Sequence, residues 1–159
     1  MALEQQVQSA LASLPSPSTG PMRIDESSTG QQFECDLSAI DSLGCSFERF
    51  TLHSDRLRAA GMDEVQRVAG ELSKRLTYLL EPIQPIETDS QQCVVQMRSV
   101  PPAKDGDRTS YYELLARKTG ELSLVRYNAD YGAGRQVALA HVTREVFLRL
   151  VRDFSAAAQ

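Results

Sequence analysis

The chain has 159 residues, 42% of them apolar, with 17 basic and 21 acidic side chains and a net charge of −4. That is the length of one domain and an ordinary globular composition, too apolar for wholesale disorder and able to bury a core without metal or disulfide staples. No apolar run approaches the roughly 18 residues of a membrane helix, and the acidic balance disfavours binding to a nucleic-acid backbone.

The N-terminal stretch lacks a positive start and a continuous apolar run, so it does not read as a secretory signal. Leu3, Val7, Leu11 and Leu14 recur at helical spacing and predict a weak amphipathic helix over residues 1–14. In residues 15–32, eleven of eighteen are Pro, Ser, Thr or Gly. That composition predicts a flexible linker spanning about 20–25 Å, with one α+β domain over residues 33–157.

Within that domain, Phe33, Cys35, Leu37 and Ala39 alternate with polar residues, the pattern of a half-buried strand. Asp41 to Gly44 has the residues of a type I turn, and a second strand runs from Cys45 to His53. Its apolar phase slips between Phe47 and Phe50, which predicts a bulge. Val65, Val68, Leu72, Leu76 and Leu79 form the stripe of a helix that Pro82 ends. Residues 83–88 read as an edge strand because of Pro85, followed by a strand over 91–99 and an exposed loop over 100–109.

The strands Ser110–Lys118 and Glu121–Asn128 flank Thr119-Gly120 as a hairpin. Pairing Lys118 with Glu121 sets Leu114 against Val125, Tyr112 against Tyr127 and Glu113 against Arg126. A last strand, Arg135–His141, pairs Arg135 with either Asn128 or Tyr127, which leaves the face of His141 open. A final helix starts with Thr143 as N-cap and buries Val146, Phe147, Leu150, Val151 and Phe154. The fold class is therefore α+β: an antiparallel sheet of about five to seven strands, two main helices on one face, and the tethered N-terminal helix.

Gly132-Ala133-Gly134 looks like the start of a phosphate loop. The dinucleotide fingerprint needs a third glycine and then a helix, but Val137 occupies that position and a strand-like run follows. The loop is read as a turn.

Cys35, Cys45 and Cys93 lack a Cys-x-x-Cys pair, so with His53 they make no zinc signature; they fit reduced thiols in a cytoplasmic protein. Cys45 and His53 lack any motif of a thiol nucleophile, and Asp105 with Asp107 lacks the rest of a calcium loop. No cofactor or metal is expected. Residues 1–90 carry 7 basic and 14 acidic groups, residues 91–159 carry 10 and 7. The basic half holds Arg98, Arg117, Arg126 and Arg135 on strands, with Tyr111 and Tyr131 among them. Arginine and tyrosine favour protein interfaces, and these six are the candidate interaction surface.

The helix–strands–helix–strands–helix order resembles that of secretion chaperones and roadblock-like adaptor modules, a likeness of layout that assigns no residue. The expected function is a non-enzymatic module binding a protein partner or itself. The competing expectation is a small-ligand site or enzyme with a pocket between sheet and helices.

Overall fold

The computed structural model describes residues 2–130 and 132–159. Among the described residues, four helices and ten strands occur in the order α1 (Leu3–Ser13), β1 (Ser18–Ser28), β2 (Gln31–Ile40), β3 (Gly44–Ser54), α2 (Asp55–Ala59), α3 (Met62–Arg75), β4 (Ile83–Asp89), β5 (Val94–Ser99), β6 (Ala103–Asp105), β7 (Arg108–Arg117), β8 (Glu121–Asp130), β9 (Gly134–Ala138), β10 (Ala140–Thr143) and α4 (Arg144–Ala157). The strands form one antiparallel sheet in the order β1-β2-β3-β8-β7-β5-β4, with β6 on β7, β9 on β8 and β10 on β3. The protein is α+β, with a larger sheet than the five to seven strands expected.

Part of the difference lies in residues 15–32, which are not a flexible linker. β1 pairs with β2 along its length and sets Ile24 opposite Cys35, both almost fully buried. The physical reason is the spacing of the turn residues rather than their number. Thr29-Gly30, with Gly30 at φ +74°, closes a two-residue turn between Ser28 and Gln31. Gly20 and Pro21 sit where the register slips between Thr19 and Met22. From Met22 onward the strand alternates in burial like any other. α1 is likewise part of the core: Leu3, Val7 and Leu11 are buried, and the helix packs against β1 and α4.

α3 buries Val65, Val68, Ala69 and Leu72, but it stops at Arg75, short of the stripe read from the sequence. Leu76 leaves the helical conformation, and the Thr77 N–H turns back to the Arg75 carbonyl. The departing segment is held by α4: the Tyr78 hydroxyl donates to Asp153 at 2.7 Å, and Arg75 reaches the same carboxylate at 3.4 Å. Leu76 and Leu79 therefore remain buried without being helical. α4 begins as expected, with Thr143 Oγ1 accepting the Val146 N–H. It buries Phe147, Leu150, Val151 and Phe154, whereas Val146, expected in the same stripe, is only partly buried. Phe50 on β3 lies within 5.6 Å of four other rings: Phe33, Phe47, Phe147 and Phe154. The bulge in β3 falls at Glu48, between the pairs of Phe47 and Arg49, where the phase slip predicted it.

The β7–β8 hairpin forms, but its register is one residue away from the expected one. Leu114 meets Leu124, Glu113 meets Val125, Tyr112 meets Arg126 and Tyr111 meets Tyr127. The turn decides this. Gly120 takes φ +96° and donates its N–H to Arg117, making a three-residue loop of Lys118 to Gly120 in place of a two-residue one. Gly120 also accepts the Ser54 N–H, and a Cβ there would lie 2.6 Å from Ser54 O. Gly120→Ala is expected to lose about 3 kcal/mol in denaturant unfolding, from positive φ and a backbone clash together. An unchanged midpoint would mean the turn relaxes freely.

The segment read as one last strand is two. β9 pairs Ala129 with Arg135 and Tyr127 with Val137, neither of the registers weighed from the sequence. β10 pairs with β3, setting His141 against Ser46. β3 and β8 are paired only over Phe50–His53 and Glu121–Leu124, and beyond that they diverge. The chain enters this fork along β8, bends at Leu139 and leaves along β3. The glycine loop before β9 does turn the chain: Ala133 N–H donates to Asp130 O, and Gly132 and Gly134 both have positive φ.

Candidate interaction surface

Strand alternation sorts the candidate residues into two sets. On β7, Tyr112, Leu114 and Ala116 enter the core cluster, so Tyr111, Glu113, Leu115 and Arg117 project from the opposite face. The registers extend this face sideways. Arg98 on β5 lies opposite Glu113, and Tyr127 on β8 lies between Tyr111 and Val137.

Glu113 is the centre of the cluster and is only 4% exposed. Its carboxylate accepts from Arg135 Nη1 at 2.7 Å and from Gln96 Nε2 at 2.8 Å, with Arg98 Nη2 at 3.7 Å. A carboxylate so placed stays affordable only because charged and amide donors replace its water. The Glu113 bond, then a bond to Tyr111, pushes the Arg135 guanidinium above even its ordinary high range. Both arginines also lie on aromatic faces: Arg98 is 4.6 Å from the Tyr111 centroid and Arg135 is 3.9 Å from that of Tyr127. The two tyrosine rings are 5.9 Å apart. Arg98 Nε is buried and meets no acceptor among the described residues. Beside the cluster is an open hollow of about 240 Å³, where Arg117 and Arg135 face Glu87, Asp89 and Glu113.

Arg98, Arg117, Arg135 and Tyr111 are thus brought together on one face. Arg126 is not with them. The one-residue register shift carries it to the core face, where it pairs with Glu81 at 3.2 Å and lies 4.6 Å from the Tyr112 ring centroid. The expected Glu113–Arg126 pair does not form, for the same reason. Tyr131 lies outside the described residues. Tyr127 and Gln96 belong to the cluster without being candidates in the sequence, and Glu113, expected there only as the partner of Arg126, is its centre; the observed register is the signal that finds them.

The remaining sequence candidates separate. Cys45 and His53 lie eight residues apart on one strand, roughly 26 Å in extended chain, and do not form a pair. His53 approaches Glu34 at 3.9 Å instead. All three cysteines are free; burial pushes the Cys45 thiol up to about 12 and the Cys35 thiol well up also. Asp105 ends β6 and Asp107 lies in the turn after it, both exposed, and among the described residues no three His, Cys, Asp or Glu side chains converge on a metal site. No described helix is long and apolar enough to cross a membrane.

One contact escapes sequence reasoning because it depends on the fork. Ser46 Oγ and His141 Nδ1 meet at 2.6 Å across β3 and β10, lining an open cleft of about 510 Å³ with Leu43 and Val142. Nearby Asp41 is occupied by the Gly44 and Leu43 N–H groups, which lower its pKa. Compared with protein-family models, curated proteins and solved structures, the chain matches none.

Proposed function

We propose that the protein is a non-enzymatic interaction module, adaptor- or chaperone-like, binding a partner protein through the sheet face that carries Arg98, Tyr111, Glu113, Tyr127 and Arg135. The observation that carries this reading is the stacking of two arginines on two tyrosines around one buried carboxylate. Arginine and tyrosine anchors held rigid in this way lose little conformational entropy on binding, the property of interface hot spots. In this reading the main helices cover the core face and leave the opposite face for the partner. Glu113 offsets much of the local positive charge, which suits a protein better than a nucleic acid. The three free thiols suit a reducing compartment, the cytoplasm.

A second reading rests on the Ser46–His141 contact beside the larger cleft, which would hold a small ligand.

The test is co-purification from native lysate with the full chain as bait, beside a Glu113→Gln/Arg135→Ala variant that removes the anchor and leaves the part-exposed Arg98 on the Tyr111 ring. A stoichiometric partner is expected with the full chain and is lost with the variant, at a melting temperature within a few degrees. Equal capture by both would move the binding elsewhere. Capture by neither, with a small molecule raising the melting temperature and Ser46→Ala abolishing that rise, would favour the cleft.

A further inference from the structure

We infer that β9 is the docking edge for a partner strand: an extended segment of the bound protein, apolar and acidic at alternate positions, adds to it inside the fork. This deepens the interaction-module reading and rests on it.

The sheet has blunted its other long edges. β1 carries Pro21 and a register slip between Thr19 and Met22; β4 carries Pro85 and a slip between Pro85 and Glu87. Proline, irregularity and charge on an edge are the devices that deter a further strand. β9 has neither proline nor irregularity, and its one charge, Arg135, is held by Glu113. Its residues Gly-Arg-Gln-Val-Ala contain no proline, and five consecutive pairs join it to β8 without a slip. β8 takes one side of β9, and among the described residues no strand pairs with the other. Backbone N–H and C=O groups of a strand point alternately to its two edges, so about half of those in β9 are aimed into the fork.

The fork opens in the direction from which such a segment would enter. β9 runs inward along β8 and β10 runs outward along β3, so the space between them widens away from Leu139. Residues 134–137 are all exposed. The side chains specify the occupant. Val137 is 57% and Leu139 39% exposed, an apolar lip at the narrow end. Arg135 lies two residues from Val137 on the same face, and exposed Arg49 stands beside Phe50, where β3 and β8 part. An added strand also repeats every two residues. One of its faces would therefore set an apolar side chain against Val137 and a carboxylate toward Arg49, since Arg135 is already paired with Glu113.

The probe is a phage-displayed library of random dodecapeptides panned against the full chain, followed by amide hydrogen exchange with the selected peptides. Selected sequences should alternate apolar with acidic residues and slow exchange within Arg135–Val137. Val137→Lys, on an exposed site, should weaken them at least about tenfold while the melting temperature holds. Peptides that protect the Arg98–Tyr111 region but leave β9 exchanging would overturn the edge and leave the face reading intact. A library without binders would overturn strand addition, and the lysate experiment would then judge the face by itself. Concentration-dependent protection of β9 without peptide would assign the edge to a second copy and overturn a foreign segment.

Discussion

Removing residues 1–30 is expected to abolish folding, or to lower the melting temperature by about 15 °C or more. The truncation strips Leu3, Val7, Leu11 and Ile24, each no more than 3% exposed, from the core. Burial of such side chains is worth about 1.5–3 kcal/mol each, so their sum is comparable with the whole stability of an ordinary domain. At this chain length each kcal/mol moves the midpoint by about 2–4 °C. The loss also bares β2 as an edge that starts with Gln31 and carries Phe33, Cys35 and Leu37, an invitation to aggregate. Circular dichroism melts of the two chains make the comparison. A truncated chain melting within a few degrees of the intact one would return α1 and β1 to the status of a tether.

The second large effect is expected at the buried ion pair. Glu81 and Arg126 have side chains only 8% and 11% exposed, and they join the segment after α3 to β8. Glu81→Ala should cost about 3–5 kcal/mol, because it strands the Arg126 charge on the core face. Replacing both at once, Glu81→Leu with Arg126→Met, should recover most of that loss, since an apolar pair of similar volume carries no desolvation penalty. Denaturant unfolding of the single and double variants separates the two effects. A double variant as unstable as the single would show that the pair matters for its shape rather than its charge. Arg126 was a surface candidate in the sequence, and this result would establish how far from the surface it acts.

Both predictions turn on places where local pattern and tertiary structure disagree. In residues 15–32 the abundance of Ser, Pro and Gly hid a strand, since composition averages over positions whereas a strand needs only alternate ones. In the β7–β8 hairpin the apolar residues fit two registers almost equally. Leu114 finds an apolar partner at Val125 in one and at Leu124 in the other. The turn at Gly120 broke that tie, and Gly120 is committed to it by Ser54, a residue 66 positions earlier on a different strand. The site inherits the outcome: with the other register, Glu113 would meet Arg126 and the Arg98–Tyr111–Tyr127–Arg135 cluster would not assemble.

The sequence by itself determined the class, the α3 stripe as far as Leu72, most of the α4 stripe, the Thr143 cap, the bulge between Phe47 and Phe50, the edge status of β4 and the turning role of the glycine loop. These are local properties, set by periodicity of two or 3.6 residues and by single residues with a restricted backbone. Only the tertiary structure decided which arginines share a face, that the N-terminal thirty residues belong to the core, that α3 ends where Tyr78 reaches Asp153, and that the last strand divides to line a fork. Each of those depends on residues far apart in the chain meeting in one register, and a one-residue slip reverses every side chain on a strand.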